Sequence, residues 1–276
     1  MDNLSGKTVL ITGATAGLGL RTAEELSSRG ARALLHGRDP ERLAAAERQI
    51  RENTGNDSPE YFLADLASFE QVRSLAERVL SRENRLDVLI NNAGVILPER
   101  REAGDGVELT FAVNYLSHFL LTRLLLPLLK ESAPARVVNV ASVGQSPIDF
   151  DDVMLERSYD PMRAYSQSKL AMIMDTFELA QELHGTGVTA NALHPATLMD
   201  TKMVREAFGA SRSSVEEGVE ATLRLATAPE LEDTTGQYFD GKRQARANRQ
   251  AYEEPARERL LRLSEELTGL RDSERR

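Results

Sequence analysis

The segment Thr12-Gly13-Ala14-Thr15-Ala16-Gly17-Leu18-Gly19 constrains the fold more than any other. It stands between a continuous apolar run, Thr8-Val9-Leu10-Ile11, and a helix-forming stretch. An unbroken apolar run of this kind reads as a strand buried on both faces, as in a parallel sheet. The three glycines let backbone amides approach a ligand closely, and the helix N-terminus adds partial positive charge. Strand, glycine turn and helix in that order make a phosphate-cradling βα unit. The spacing is Gly-x-x-x-Gly-x-Gly, which matches the common Gly-x-Gly-x-x-Gly fingerprint only loosely. A tight turn without a ligand is the alternative.

The same alternation continues along the chain. Ala31 to His36 reads as a second strand, Tyr61 to Ala64 as a third, Leu86 to Ile90 as a fourth and Arg136 to Val140 as a fifth. Val188 to Leu193 is a sixth, and Gly236 to Phe239 a short seventh. Helix starts stand between them. Asp39-Pro40 is an N-cap followed by proline at the first helical position, and Ser68-Phe69-Glu70-Gln71 has capping-box spacing. Repeated βα units predict an α/β domain with a parallel sheet and helices on both faces. Ligands of such sheets bind beyond the carboxyl ends of the strands. That edge gathers Gly13, Arg38, Asp65, Asn92, Ser142 and His194. Residues 1–241 are expected to form the domain and 242–276 a charged helical extension. In the extension Leu260, Leu263, Leu267 and Leu270 recur at helical spacing. An amphipathic helix docked on the domain itself is the plain reading. Packing on a partner subunit and a frayed tail are the others.

Composition narrows the function. The formal net charge of -9 leaves no basic excess to neutralise phosphates, so nucleic acid is not expected as a partner. Without cysteine there is no disulfide, thiolate catalysis or cysteine-ligated metal. His36, His118 and His184 are scattered, and no metal site is expected. The N-terminal residues Met1 to Lys7 lack the pattern of a signal peptide. The longest apolar stretch, around Phe119 to Leu129, is broken by Thr122, Arg123 and Pro127 and reads as too short for a bilayer. A soluble cytoplasmic protein without a membrane span is the expectation.

Tyr165 and Lys169 stand four apart in the helical stretch Tyr165-Ser166-Gln167-Ser168-Lys169, hence on one face. A tyrosine titrates near pH 10, and a nearby ammonium together with a nicotinamide cation would favour its phenolate. Lowering that pKa to neutrality takes about 4 kcal/mol of differential stabilisation. The plain alternative is a packed tyrosine beside a solvent-facing lysine. Ser142 follows the fifth strand, where it could orient a substrate carbonyl or simply cap a turn. His194 precedes Pro195, and a structural role is favoured for it. At the end of the second strand the chain reads His36-Gly37-Arg38-Asp39, with no acid in place to hold a ribose 2′-hydroxyl. A guanidinium there suits a 2′-phosphate, so NADP(H) is preferred over NAD(H).

These motifs, in this order, resemble a short-chain dehydrogenase/reductase over about residues 5 to 240. They are Thr12 to Gly19, Asp65-Leu66, Asn91-Asn92-Ala93-Gly94, Asn114, Ser142, Tyr165 with Lys169, and His194-Pro195-Ala196-Thr197. Asn114-Tyr115-Leu116-Ser117-His118-Phe119-Leu120-Leu121-Thr122, Tyr165-Ser166-Gln167-Ser168-Lys169-Leu170-Ala171 and the 22 residues between Ser142 and Tyr165 look most like the retinol-dehydrogenase-like branch. The resemblance implies a single Rossmann-type doubly wound domain with a mostly parallel seven-stranded sheet. It implies cofactor contacts from Gly13, Thr15, Ala16, Gly17, Leu18, Gly19, Arg38, Asp65, Leu66, Asn92, Ala93, Gly94, Tyr165, Lys169, Pro195 and Thr197. Asp65 would meet the adenine amine, and Asn92 to Gly94 would line the adenosine side. Ser142 would polarise a carbonyl and Tyr165 deliver the proton. Lys169 would bind the nicotinamide ribose, and Asn114 would hold a water relaying protons to it. Ala196 stands where the family often has glycine.

The resulting expectation is an NADPH-dependent oxidoreductase interconverting a carbonyl and an alcohol. A catalytically silent NADP(H)-binding regulator and a sugar-nucleotide epimerase or dehydratase are the alternatives. Met199, Met203, Val204 and Phe208, with Val95-Ile96-Leu97 opposite, suggest a lipophilic small-molecule substrate. Leu170, Met172, Ile173, Met174, Phe177 and Leu179 exceed one core-facing stripe, which suggests a homodimer or homotetramer.

Overall fold

The computed structural model describes residues 3–104, 106–271 and 274. Met1 and Asp2 of the N-terminal reading lie outside the described residues, as do Asp272, Ser273, Arg275 and Arg276 of the extension. Eight strands form one sheet in the order β3-β2-β1-β4-β5-β6-β7-β8. They are β1 (Thr8–Ile11), β2 (Arg32–Gly37), β3 (Glu60–Leu63), β4 (Val88–Asn91), β5 (Ala135–Val140), β6 (Val188–His194), β7 (Gln237–Asp240) and β8 (Arg243–Ala245). All neighbours are parallel except β7 and β8. The expected seven strands are therefore corrected to eight. Gly241, at φ +57°, turns the chain back after β7, and β8 pairs antiparallel on the open edge. The boundary expected between 241 and 242 falls inside this hairpin.

Alternation along the strands divides two apolar cores. Val9, Ile11 and Leu35 face α1 (Gly17–Ser28), α2 (Pro40–Thr54) and α8 (Val215–Thr227). Leu10 and Leu34 face α3 (Phe69–Arg82), α5 (Ser117–Glu131) and α6 (Pro161–Glu182). The two caps read from the sequence both form, with one difference. Asp39 accepts from the amides of Glu41 and Arg42 at 3.0 and 3.1 Å. Ser68 accepts from Gln71 N at 3.3 Å, but the Gln71 side chain reaches past the box and accepts from Asp65 N at 2.9 Å. It thereby holds the loop that carries Asp65.

α4 (Leu109–Phe111), a π turn at Ala112–Leu116 and α5 run on as one 23-residue helix. That helix is long and apolar enough to cross a membrane, which corrects the reading of its stretch as too short. It continues through Pro127, and 89% of its most apolar window is buried inside the domain. It is the core helix under one face of the sheet.

The apolar excess on α6 has an internal explanation, and the reason given for a homo-oligomer fails. Leu170, Met172, Ile173, Met174, Phe177 and Leu179 are all buried within the single chain. The turn Arg249–Tyr252 and α9 (Glu254–Thr268) pack against α6. Tyr115 and Ser264 share a buried hydroxyl–hydroxyl bond of 2.7 Å, and Arg257 pairs with Glu178 at 3.3 Å. Arg73 donates to the carbonyls of Thr268 and Gly269, which closes the α9 C-terminus. The extension thus docks on its own domain, and a second copy would have to displace α9 to reach this face.

Candidate active site

At the turn after β1 the backbone packs too closely for side chains. A Cβ on Gly19 would stand 2.4 Å from the Gly13 carbonyl oxygen, and one on Gly13 would stand 2.9 Å from Ala93 Cα. Thr12 Oγ1 accepts from the amides of Asn92 and Ala93 at 2.8 and 3.0 Å. The Asn92 carboxamide donates to the carbonyls of Thr12 and Gly13 at 2.8 and 3.3 Å. Its carboxamide thereby clasps the glycine turn. Ala16 opens α1 in extended conformation, without a side-chain cap and without an acid in the first turn. The first amides of α1, from Gly17, Leu18 and Gly19, are therefore left for an anion. A glycine cradle at backbone contact and an uncapped helix fit the pyrophosphate of a dinucleotide. Thr15 is half-buried and Ala16 exposed at its rim.

His36 ties the turn to the sheet. Gly13 N–H donates to His36 Nδ1 at 3.3 Å, so the proton sits on Nε2, which donates to the Ala64 carbonyl at 3.1 Å. Burial pulls its pKa down to about 4, and the ring stays neutral. Arg38 is exposed beyond it, and no described residue pairs with its guanidinium. Asp65 is half-buried, and its Oδ1 accepts from Ala67 N at 3.0 Å; Leu66 is buried beside it.

α6 begins at Asp160, which caps Arg163 N, with Pro161 next. This start presents Tyr165 and Lys169 toward the end of β5. Lys169 Nζ lies 5.7 Å from the centre of the Tyr165 ring and donates to the Val140 carbonyl at 2.7 Å. Burial lowers the Lys169 pKa to about 8. Burial raises that of Tyr165, and a hydrogen bond with Ser142 opposes the rise. The expected lowering of the tyrosine is thus not produced by this chain alone, because desolvation outweighs the one bond to Ser142. Ser142 Oγ accepts from Gly144 N at 3.0 Å, which leaves its own proton free to donate. Ser142 Oγ and Tyr165 Cε1 both lie within 4 Å of the point where a Gly144 side chain would start.

Asn114 lies in the π turn, a local widening frequent at functional sites. Its Oδ1 accepts from Val95 N at 2.7 Å, and its Nδ2 donates to the Val95 carbonyl and to Ser168 Oγ, both at 3.0 Å. The point where a Gly94 side chain would start lies 3.4 Å from Asn114 Oδ1 and 3.6 Å from Lys169 Nζ. Sequence reasoning missed His118. Its Nδ1–H donates to the Asn114 carbonyl at 3.2 Å, and its Nε2 accepts from Thr12 Oγ1 at 2.9 Å. Burial lowers its pKa to about 3, so the tautomer is fixed. The ring links the glycine turn to the π turn. The one signal was its position four residues after Asn114, on the same helical face.

β6 leads into Pro195, which is buried, and Thr197, which is exposed. His194 Nε2 shares a 3.1 Å bond with Thr197 Oγ1, and burial lowers its pKa, so its role is structural. Met199 is corrected from a substrate wall to a packing residue. A Cβ on Gly218 of α8 would stand 2.3 Å from its sulfur, and it lies against the α1/α8 core. The following helix α7 (Lys202–Phe208) has no buried residue, and Phe208 is 43% exposed. Its apolar side chains do not pack into the core.

The short chain dehydrogenase family model matches residues 7–211. Human retinol dehydrogenase 13 is 41% identical over 285 residues, covering 97% of this chain and 86% of that protein. Human retinol dehydrogenase 14 is 40% identical, covering 97% and 88%. Among solved structures, an uncharacterized protein from Mycobacterium Paratuberculosis superimposes with TM-score 0.81 at 32% identity, covering 98% and 96%. A short chain dehydrogenase from Shigella flexneri 2a str. 301, complexed with NADP, gives TM-score 0.72 at 27% identity, covering 88% and 99%. The chain belongs to the short-chain dehydrogenase/reductase family, in its retinol-dehydrogenase-like branch. It is an oxidoreductase acting on CH–OH and C=O groups.

Proposed function

We propose that this protein uses NADP(H) to interconvert a lipophilic aldehyde or ketone and its alcohol, with Tyr165 as proton donor. The observation that carries the chemistry is the convergence of Ser142 Oγ, Tyr165 and Lys169 at the ends of β5 and α6. The cofactor, when bound, supplies or accepts hydride. Gly13, Thr15, Ala16, Gly17, Leu18 and Gly19 would hold its pyrophosphate, Asp65, Leu66, Asn92, Ala93 and Gly94 would line the adenosine side, and Pro195 and Thr197 would contact the cofactor as well. Ser142 donates its hydroxyl to the substrate carbonyl, and Tyr165 passes its proton to the same oxygen. The Lys169 ammonium then stabilises the phenolate. Asn114 and Lys169 flank Gly94, where a water between them would complete a path for reprotonation.

Cofactor choice rests on Arg38, exposed at the end of β2 and without a partner among the described residues. One charge-assisted contact to a 2′-phosphate contributes about 1.5–3 kcal/mol, so kcat/KM should favour NADPH over NADH about tenfold or more. Arg38→Asp is expected to abolish or reverse that ratio. Equal kcat/KM with both cofactors in the parent protein would remove the assignment.

The lipophilic substrate class rests on Met203, Val204 and Phe208, on an α7 that stands clear of the core beside Thr197. Half-buried Ile96 and Leu97 follow Val95, and Val143 next to Ser142 is 48% exposed. A panel of aldehydes, aliphatic ketones, aromatic ketones and quinones with NADPH tests it. Lipophilic members should be turned over better than matched small polar or phosphorylated carbonyls, and the reverse order would show the class to be wrong.

A further inference from the structure

We propose that Gln145 is a positioning residue through which the C-terminal segment aims Ser142. This rests on the assignment of Ser142 as the group that polarises the carbonyl. Gln145 uses both ends of its carboxamide. Its Nε2 donates to the Ser142 carbonyl at 2.9 Å, and its Oε1 accepts from Asn248 N at 2.7 Å. Tyr238 Oη, on buried β7, donates to the same Ser142 carbonyl at 3.1 Å. That carbonyl therefore has both lone pairs engaged by donors from two directions, and the peptide plane after Ser142 cannot swing. With the plane fixed, Gly144 N–H, which donates to Ser142 Oγ at 3.0 Å, is held in place and restrains the hydroxyl.

The anchor of this device lies about a hundred residues downstream. Gln250 donates to and accepts from the Ile148 backbone at 3.1 and 2.7 Å, which clamps the same loop three residues beyond Gln145. The turn Arg249–Tyr252 packs on α6, the helix that carries Tyr165 and Lys169. One segment thus braces the serine loop against the helix that holds the proton donor. Gln145 itself is half-buried, touches Ser142 through the backbone and also hydrogen-bonds the Tyr238 hydroxyl, so it belongs to the same brace.

The test is a double-mutant cycle in single-turnover carbonyl reduction with NADPH, using Ser142→Ala, Gln145→Ala and the double variant. Gln145→Ala should lower the rate about tenfold, the size of one lost hydrogen bond, with NADPH affinity within about twofold of parent. In the Ser142→Ala background the same change should have no further effect, because the group being aimed is gone. Gln145→Glu keeps the length and the acceptor for Asn248 N–H but loses the donor to Ser142 when ionised, so it should show at least the same loss at neutral pH, with circular dichroism checking that the fold is kept. A parental rate in both Gln145 variants, or an additive loss in the double variant, would overturn the proposal. A parental rate in Ser142→Ala would instead overturn the assignment of Ser142, and the proposal with it.

Discussion

Tyr165→Phe is expected to lower turnover by about 10² to 10⁴ while NADPH still binds. Phenylalanine keeps the ring and its packing on α6 and removes only the hydroxyl that neighbours Ser142. Because burial raises the Tyr165 pKa, the phenol stays protonated in the free protein through neutral pH. It is ready to donate, and the energetic demand falls on stabilising what remains after donation. Steady-state kinetics on a substrate found in the panel, with NADPH titration by fluorescence, check both halves. A kcat near parent would show that another group carries the proton.

Lys169→Met should lower turnover by about 10² or more and weaken cofactor binding as well, if the ammonium serves the phenolate and the ribose as proposed. Its effect on stability should be small. The lysine titrates near 8 in the folded chain and near 10.5 unfolded, so between these values the unfolded chain binds more protons. Folding stability from this group therefore rises with pH across that window, and below it the buried ammonium is a standing cost. Removing it relieves that cost and leaves the Val140 carbonyl short of one donor, terms of about 1–3 kcal/mol that oppose each other. Thermal denaturation at pH 7 should show a Tm within a few degrees of parent, about the shift that 1 kcal/mol produces in a domain of this size. In the parent, turnover should fall as pH rises through about 8, where the ammonium loses its charge. A pH profile flat from 7 to 9 would contradict the role of that charge.

The parts of the site legible in the sequence are those made by local chain geometry. A glycine turn between an apolar strand and a helix, and two side chains four apart on one helix, follow from covalent geometry and helical period. What escaped was made by contacts distant in sequence. His118 gave no sign that it joins Thr12 to Asn114, since that bond spans 106 positions. Asn92 could not be known to clasp the glycine turn, and the sulfur of Met199 turned to α8 rather than to the substrate side. The Tyr165 pKa of the chain alone escaped for a related reason. Spacing supplies the nearby charge, but only packing supplies the desolvation that opposes it.

The sequence by itself determined the α/β class, the order of the parallel strands' βα units and the placement of Tyr165 and Lys169 on one helix face. Each follows from a period of two or 3.6 residues, or from residues close together in the chain. The tertiary structure alone decided what covers the apolar face of α6. Hydrophobic periodicity states that a face must be buried and is silent on what buries it. A second copy and the chain's own α9 satisfy the same pattern, and only the assembled surface of α5, α6 and α9, joined through Tyr115 and Ser264, selects the latter.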